Sequence, residues 1–284
     1  MSEGMELKPD AVVVESGIRI AWVVNRGLMK KHLIVSALIG AITVSIAAKA
    51  QQPPPPTAVS YLQQSLAAMT GQSAIQGLTL NGTAELIAGS MDETGSFNAS
   101  CALTGSSQLQ LQLSAASRTE NRQISNGTAA GSWVDSQGEK HAMAGHNLLT
   151  PESWFCPNIT LGRILQSSLT VQFAGNETKN GVSVAHFTIA SPATDNSEPS
   201  QLIAHLTTTD LFLDPTTLRP VALDFNIHPD SNALIDIPVE IQFSNYTSVN
   251  GLWIPFTVEK YVNSTLALKL QVGSASTAAA GSAN

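Results

Sequence analysis

His141 and His146, with Asp135 and Glu139 just upstream, are the chain's densest group of side chains able to hold a metal. A zinc-binding helix places its histidines four apart so that both imidazoles leave one face. Here the spacing is five and the intervening Ala142-Met143-Ala144-Gly145 has no helical pattern, so both histidines are read as surface or cap residues and no metal is assigned. Gly181-Val182-Ser183-Val184-Ala185 approaches the nucleophile elbow of a serine hydrolase. It ends in alanine, however, and lies within a strand pattern, whereas that chemistry needs a strand-to-helix turn. The HExxH, phosphate-loop and GxGxxG patterns are all missing. No nucleophile has a matched base, so the chain reads as a non-enzyme without a cofactor.

Cys101 and Cys156 are the two cysteines. A disulfide between them and a pair of buried free thiols are both open readings. Trp133, Trp154 and Trp253 are candidate sugar platforms, although isolated tryptophans more commonly anchor a core and leave a polar tip. His228-Pro229-Asp230 and Asp214-Pro215 have turn chemistry. The Asn-x-Ser/Thr triplets, such as those at Asn81, Asn126 and Asn263, are read the same way.

Met29 to Gln51 carries a lysine pair, an apolar run and then Ala48-Lys49-Ala50, the order of parts in a secretory signal. Cleavage is expected after Ala50, with residues 1–28 upstream of the signal. The alternative is an inner-membrane anchor through residues 33–48, which is short beside the roughly 20 residues of a spanning helix. The protein is therefore expected to be periplasmic or secreted, in an envelope of the Gram-negative type, with at most transient membrane contact after cleavage. Beyond residue 50 there are 8 basic and 17 acidic side chains, a net charge of −9 that disfavours nucleic acid and anionic surfaces as partners.

Residues 51–56 (QQPPPP) form a stiff leader. Thr57 caps a short helix with apolar residues at 58, 59, 62, 66 and 69, which ends at Gly71. Alternating runs follow, the clearest being Ser107–Leu113 (SQLQLQL), with Leu109, Leu111 and Leu113 on one face. Residues 117–124 (SRTENRQI) are too polar to bury on either face and predict an outer or edge strand. A hairpin is expected around Asp135–Gly138, then an irregular or helical insert over 146–168 whose helix starts at Thr150-Pro151. Strands resume at 169–173, 181–189, 206–213, 220–227, 238–246, 252–262 and 265–272, and residues 274–284 read as a disordered tail.

In the closing strands Ile241, Phe243, Ile254, Phe256, Val258, Leu266, Leu268 and Leu270 share one parity, opposed by Glu240, Gln242, Glu259, Lys269 and Gln271. Nine to eleven such strands with one or two helices leave more apolar area than the helices cover. The sheet must curl round a core, pair with another sheet, or shelter a ligand. A membrane barrel also alternates, but 5% aromatic residues are few for its interfacial girdles.

Residues 212–230 (FLDPTTLRPVALDFNIHPD) and 235–272 (IDIPVEIQFSNYTSVNGLWIPFTVEKYVNSTLALKLQV) resemble the closing strands of the periplasmic lipoprotein-carrier superfamily, LolA/LolB-like. Residues 131–143 and 146–155 look like segments of an uncharacterised secreted branch of it. The resemblance implies one domain over 57–273, mainly β, a strongly curved, incomplete antiparallel β-barrel with one or two helices plugging its concave face. It further implies that this face takes lipid or a lipoprotein acyl chain, lined by the eight residues above and Leu109, Leu111 and Leu113. An inner-strand arginine holds the lid in such carriers, and Arg118 and Arg122 lie in a suitable region. The other function class is an envelope scaffold or protein-interaction domain that fills its own sheet and takes no ligand.

Overall fold

Period-two alternation punctuated by asparagine turns builds most of the chain described, residues 57–71 and 73–277 of the computed structural model. The signal, anchor and leader expectations lie outside these residues. Thirteen strands form one antiparallel sheet. In chain order they are β1 (Gly77–Ala88), β2 (Met91–Ala102), β3 (Ser107–Leu113), β4 (Ser117–Ser125), β5 (Thr128–Val134) and β6 (Lys140–Ala142). The second set is β7 (Thr170–Lys179), β8 (Val182–Ala190), β9 (Thr209–Leu213), β10 (Pro220–Ile227), β11 (Ile237–Val249), β12 (Leu252–Val262) and β13 (Thr265–Thr277). Three α-helices accompany them, α1 (Ala58–Thr70), α2 (Pro157–Gln166) and α3 (Glu198–Leu206), with a 3-10 turn at Gly145–Leu149. Hairpins turn at Asn126-Gly127, Asn180-Gly181 and Asn250-Gly251, where both residues have positive φ, as a two-residue turn matched to strand twist requires.

In space the strands run β6-β5-β4-β3-β2-β1-β13-β12-β11-β10-β9-β8-β7. Each half is a meander, and the halves join where β1 pairs with β13. Five hydrogen-bonded steps separate β4 from β12, about 24 Å in a flat sheet at ~4.8 Å per step. Yet Thr119 of β4 and Lys260 of β12 line one cleft, so the sheet curls strongly without its edges pairing. This is the incomplete curved barrel expected. Close strand approach is built in at two glycines: a Cβ on Gly95 would sit 1.9 Å from the Gln112 carbonyl oxygen, and one on Gly82 2.0 Å from that of Gln271.

Four expectations are corrected. The insert's helix starts at Pro157, not at Thr150-Pro151, because Cys156-Pro157 supplies the first-turn proline and the Thr150 hydroxyl is engaged by Arg122. Leu206 ends α3 and opens no strand, since Ser197 caps that helix through the Ser200 N–H and Pro199 occupies its first turn. Strand β4 is interior, lying between β3 and β5, with its polar side chains directed to uses described below. Finally, β13 continues to Thr277 because Ser274–Thr277 pair with Leu78–Asn81, so residues 274–277 are strand and not tail.

Outside the curl, the tip of the β7–β8 hairpin lies on the sheet's outer face. Val184 packs there with Phe212 and Ala222, and Lys179 reaches both Asp224 (2.5 Å) and Glu240 (2.9 Å). Loss of water pushes the Asp224 carboxyl up to about 6, and the bond from Lys179 only partly offsets it. The folded pKa lies above the ordinary value, so the stability contributed by protonated Asp224 is complete below pH about 4 and lost as pH rises through about 6. A shift of this size corresponds to about 3 kcal/mol. Urea titrations at pH 4 to 8 should show Asp224→Asn gaining on the natural protein by up to that amount as pH rises, and parallel curves would contradict the assignment.

Candidate functional site

Pairing registers align the concave face into rows. One runs Leu113, Gly95, Ala84, Leu270, Val258, Phe243 across β3, β2, β1, β13, β12 and β11. Of the eleven residues nominated from sequence, Leu109, Leu111, Ile241, Phe243, Ile254, Val258, Leu268 and Leu270 lie in one buried cluster at 6% exposure or less. Leu113 and Phe256 pack partly buried against it. Leu266 does not join them. The register shifts between Lys260 and Tyr261, leaving Ala267 as the extra residue, so Leu266 pairs with Tyr261 and lies outside the cluster.

Two segments cover this surface. Helix α1 buries Leu62 and Met69 while Val59, placed on its apolar side from sequence, is exposed. Its Ser65 hydroxyl donates to the Leu218 carbonyl (2.6 Å) and Tyr61 packs on Phe187. The second cover is the crossing from β6 to β7, which lays Trp154, Phe155, Ile159, Leu161 and Ile164 into the cluster. Cys156, at the start of α2, is bonded to Cys101 of β2, with 6.7 Å between their Cα atoms. Arg122 donates to the carbonyls of Asn147 and Thr150 (each 3.2 Å) and to the Thr150 hydroxyl (2.9 Å). It therefore clasps the crossing segment, while Arg118 instead pairs with Glu93 (2.8 Å). Arg163 pairs with Glu152 and donates to the Leu103 carbonyl (3.2 Å).

The charged side chains of β4 share the concave rows. Arg118 stands beside Leu111, Glu120 beside Leu109 and Arg122 beside Ser107. Arg122 Nε bonds Glu120 (3.0 Å). Arg118 bonds Glu93, which lies 6% exposed at the end of the row containing Leu86 and Leu268, and holds its carboxyl below the usual range. From the opposite wall Lys260, in register with Ile241 and Leu268, points its amine over the Trp154 ring at 4.7 Å. Burial lowers its pKa. Sequence reasoning passed over Lys260 and Glu93, although counting 254, 256, 258, 260 along β12 already puts the lysine on the apolar side.

The covers leave little room. A cavity of about 110 Å³ lies between α2, Ile189 and Thr209, and a cleft of about 170 Å³ lies between Leu109, Leu268, Trp154 and Lys260. Wider open depressions of about 670 and 560 Å³ are lined by polar strand residues such as Asn121 and Lys140, or Glu85 and Gln271. Among the described residues, Asp135, Glu139 and His141 approach one another, but Asp135 is occupied by the Gln137 and Glu139 N–H groups and by His141, in an ordinary turn. His141 stacks on Trp133 (4.1 Å) and His146 bonds the Pro229 carbonyl (3.1 Å). Ser183 sits within β8, after the Asn180-Gly181 hairpin turn.

No family model and no curated protein matches this chain. Among solved structures it is similar to a DUF1329 family protein from Desulfovibrio piger, with TM-score 0.50 and 9% identity over 79% of this chain and 95% of that one. The two share a fold. Also similar are an outer membrane lipoprotein-sorting protein domain from Vibrio parahaemolyticus (TM-score 0.49, 10% identity, 78% and 92% coverage) and a LolA superfamily protein from Nitrosomonas europaea (0.48, 10%, 78% and 94%). Among the described residues no helix is long and apolar enough to cross a membrane.

Two outcomes follow for the crossing segment. Reducing the disulfide, which closes 55 residues, should lower unfolding stability by about 4 kcal/mol, seen as a shifted urea midpoint with and without reductant. Arg122→Ala should speed amide exchange through residues 147–153 by roughly 100-fold while strands β10–β13 exchange as before.

Proposed function

We propose that this is a non-catalytic envelope protein that takes a hydrophobic ligand, a lipid or an acylated protein's chain, onto the concave face of its sheet. The observation that carries this reading is the unequal anchoring of the two covers. The crossing segment is fastened by a disulfide and two arginines, whereas α1 lies on the same apolar surface with the Ser65–Leu218 hydrogen bond and side-chain packing. Helix α1 is the cover that a ligand exchanges with.

The energies match. Burying Leu62 and Met69 contributes about 1.5–3 kcal/mol each, and an acyl chain of about ten methylenes about 8 kcal/mol. A medium-length chain therefore offsets the loss of α1, while a short one does not. Ligand-facing residues in the open form would be Leu109, Leu111, Leu113, Ile241, Phe243, Ile254, Phe256, Val258, Leu268 and Leu270. The fold shared with the Desulfovibrio piger protein is compatible with this and decides no ligand.

A self-filled scaffold is the second reading, favoured by cavities of about 110 and 170 Å³ against the roughly 300 Å³ or more of a preformed site. Displacement of a fluorescent fatty acid by unlabelled acids of 8 to 16 carbons separates the two. Exchange predicts affinity rising roughly fourfold per methylene. No uptake of any acid, with no lipid seen by native mass spectrometry of the full chain from a periplasmic extract, would leave the scaffold.

A further inference from the structure

We infer that the ligand is an anionic amphiphile, its carboxylate or phosphate head seated in the cleft between Lys260, Arg118 and Trp154 and its chain lying along Leu109 and Leu268. This deepens the hydrophobic-ligand reading and rests on it.

The charges in the cleft do not balance. Arg118 is paired with Glu93 and Arg122 with Glu120, which leaves the Lys260 ammonium without a carboxylate at ion-pair distance among the described residues. The Lys260 amine lies over the Trp154 ring, and the one carboxylate lining the cleft, Glu120, is already bonded by Arg122, so a cation buried here costs desolvation unless an anion joins it. Among the residues that line the cleft, the unfilled hydrogen-bonding capacity has the same sense, while the orphan acceptor Glu93 Oε2 belongs to a residue outside the lining. Trp154 Nε1 and Arg118 Nη1 are both buried without a protein acceptor, and both residues line this cleft with Lys260. Indole N–H, guanidinium N–H and ammonium are all donors, so the group that completes them supplies acceptors. Trp154 is 2% exposed, so its N–H is reached only through the cleft.

Size limits what enters. A cavity of about 150 Å³ holds a benzene-sized molecule, so the 170 Å³ cleft takes a head and its first few carbons. The rest of the chain must run from Leu268 of β13 onto β12, the neighbouring strand against which α1 packs. Lys260 and Leu268 are register partners, which places charge and grease in contact as an amphiphile requires.

The test is calorimetric titration of the full chain with dodecanoate, methyl dodecanoate, acetate and inorganic phosphate. Dodecanoate is expected to bind at least tenfold more tightly than its ester, with acetate and phosphate failing to compete. Lys260→Met should bring dodecanoate down to the affinity of the ester, leave the ester unchanged and keep or raise the melting temperature of the empty protein, while Lys260→Arg retains the preference. Trp154→Phe, which keeps an aromatic face and removes the N–H, should lose part of it. Equal binding of acid and ester, or a preference that survives Lys260→Met, would overturn the head site and leave hydrophobic binding standing. Competition by acetate or phosphate at matching affinity would overturn the amphiphile in favour of a free-anion site. Failure of both acid and ester to bind would overturn the hydrophobic-ligand reading itself.

Discussion

Strands β6 and β7 lie at opposite edges of the sheet yet follow one another among the strands of the chain, so residues 143–169 must cross the curl between them. An irregular segment laid over an apolar face brings peptide groups that need partners. Arg122 and Arg163 reach across to the carbonyls at Asn147, Thr150 and Leu103, and Ser107 donates to the Glu152 carbonyl (2.5 Å). With those groups satisfied, the segment can commit Trp154, Phe155 and Ile159 to the core, and the disulfide holds the start of α2 against β2. Arg122 of β4 has its explanation here, because the strand beneath the crossing supplies part of the hydrogen bonds that the segment needs.

Much of the sheet is legible from local pattern. Ser107–Leu113, Pro220–Ile227 and Leu252–Val262 were readable to the residue, the first from its strict alternation and the other two from apolar runs bounded by turn residues. Helix α1 follows from Thr57 and Gly71 in the same way. What escapes is non-local. Leu266 follows the parity of its strand until a bulge at Ala267 moves it, and no single-strand pattern shows a bulge. Thr150-Pro151 and Cys156-Pro157 are equally good helix starts in sequence, and the choice is made by Arg122 and the disulfide. Helix α3 is missed from sequence although Ser197-Glu198-Pro199 carries its start signal, because Leu206 is assigned to the strand that follows.

The concave face is less uniformly apolar than its leucines suggest. Inward charges come from β2, β4 and β12, in two matched pairs and one unmatched lysine, and all lie toward one end of the curl near Trp133 and Trp154. Phe187 and Leu213 belong to the hydrocarbon cluster, with Phe187 against Tyr61 of α1, while Ile189 lines the smaller cavity with Glu152 and Arg163. Charge thus borders the apolar surface at both cavities.

The pairing of β1 with β13 at the middle of the sheet bears on how the chain acquires its fold. A ribosome delivers β1 nearly two hundred residues before its partner, so both meanders must wait, each with one bare inner edge, until Thr265–Thr277 emerges. Contacts this distant in sequence form slowly, and unpaired edges recruit other strands in the meantime. A chain halted before Thr265 would therefore carry twelve of the thirteen described strands and be prone to self-association, and its need for an attendant chaperone is greatest just before β13 emerges.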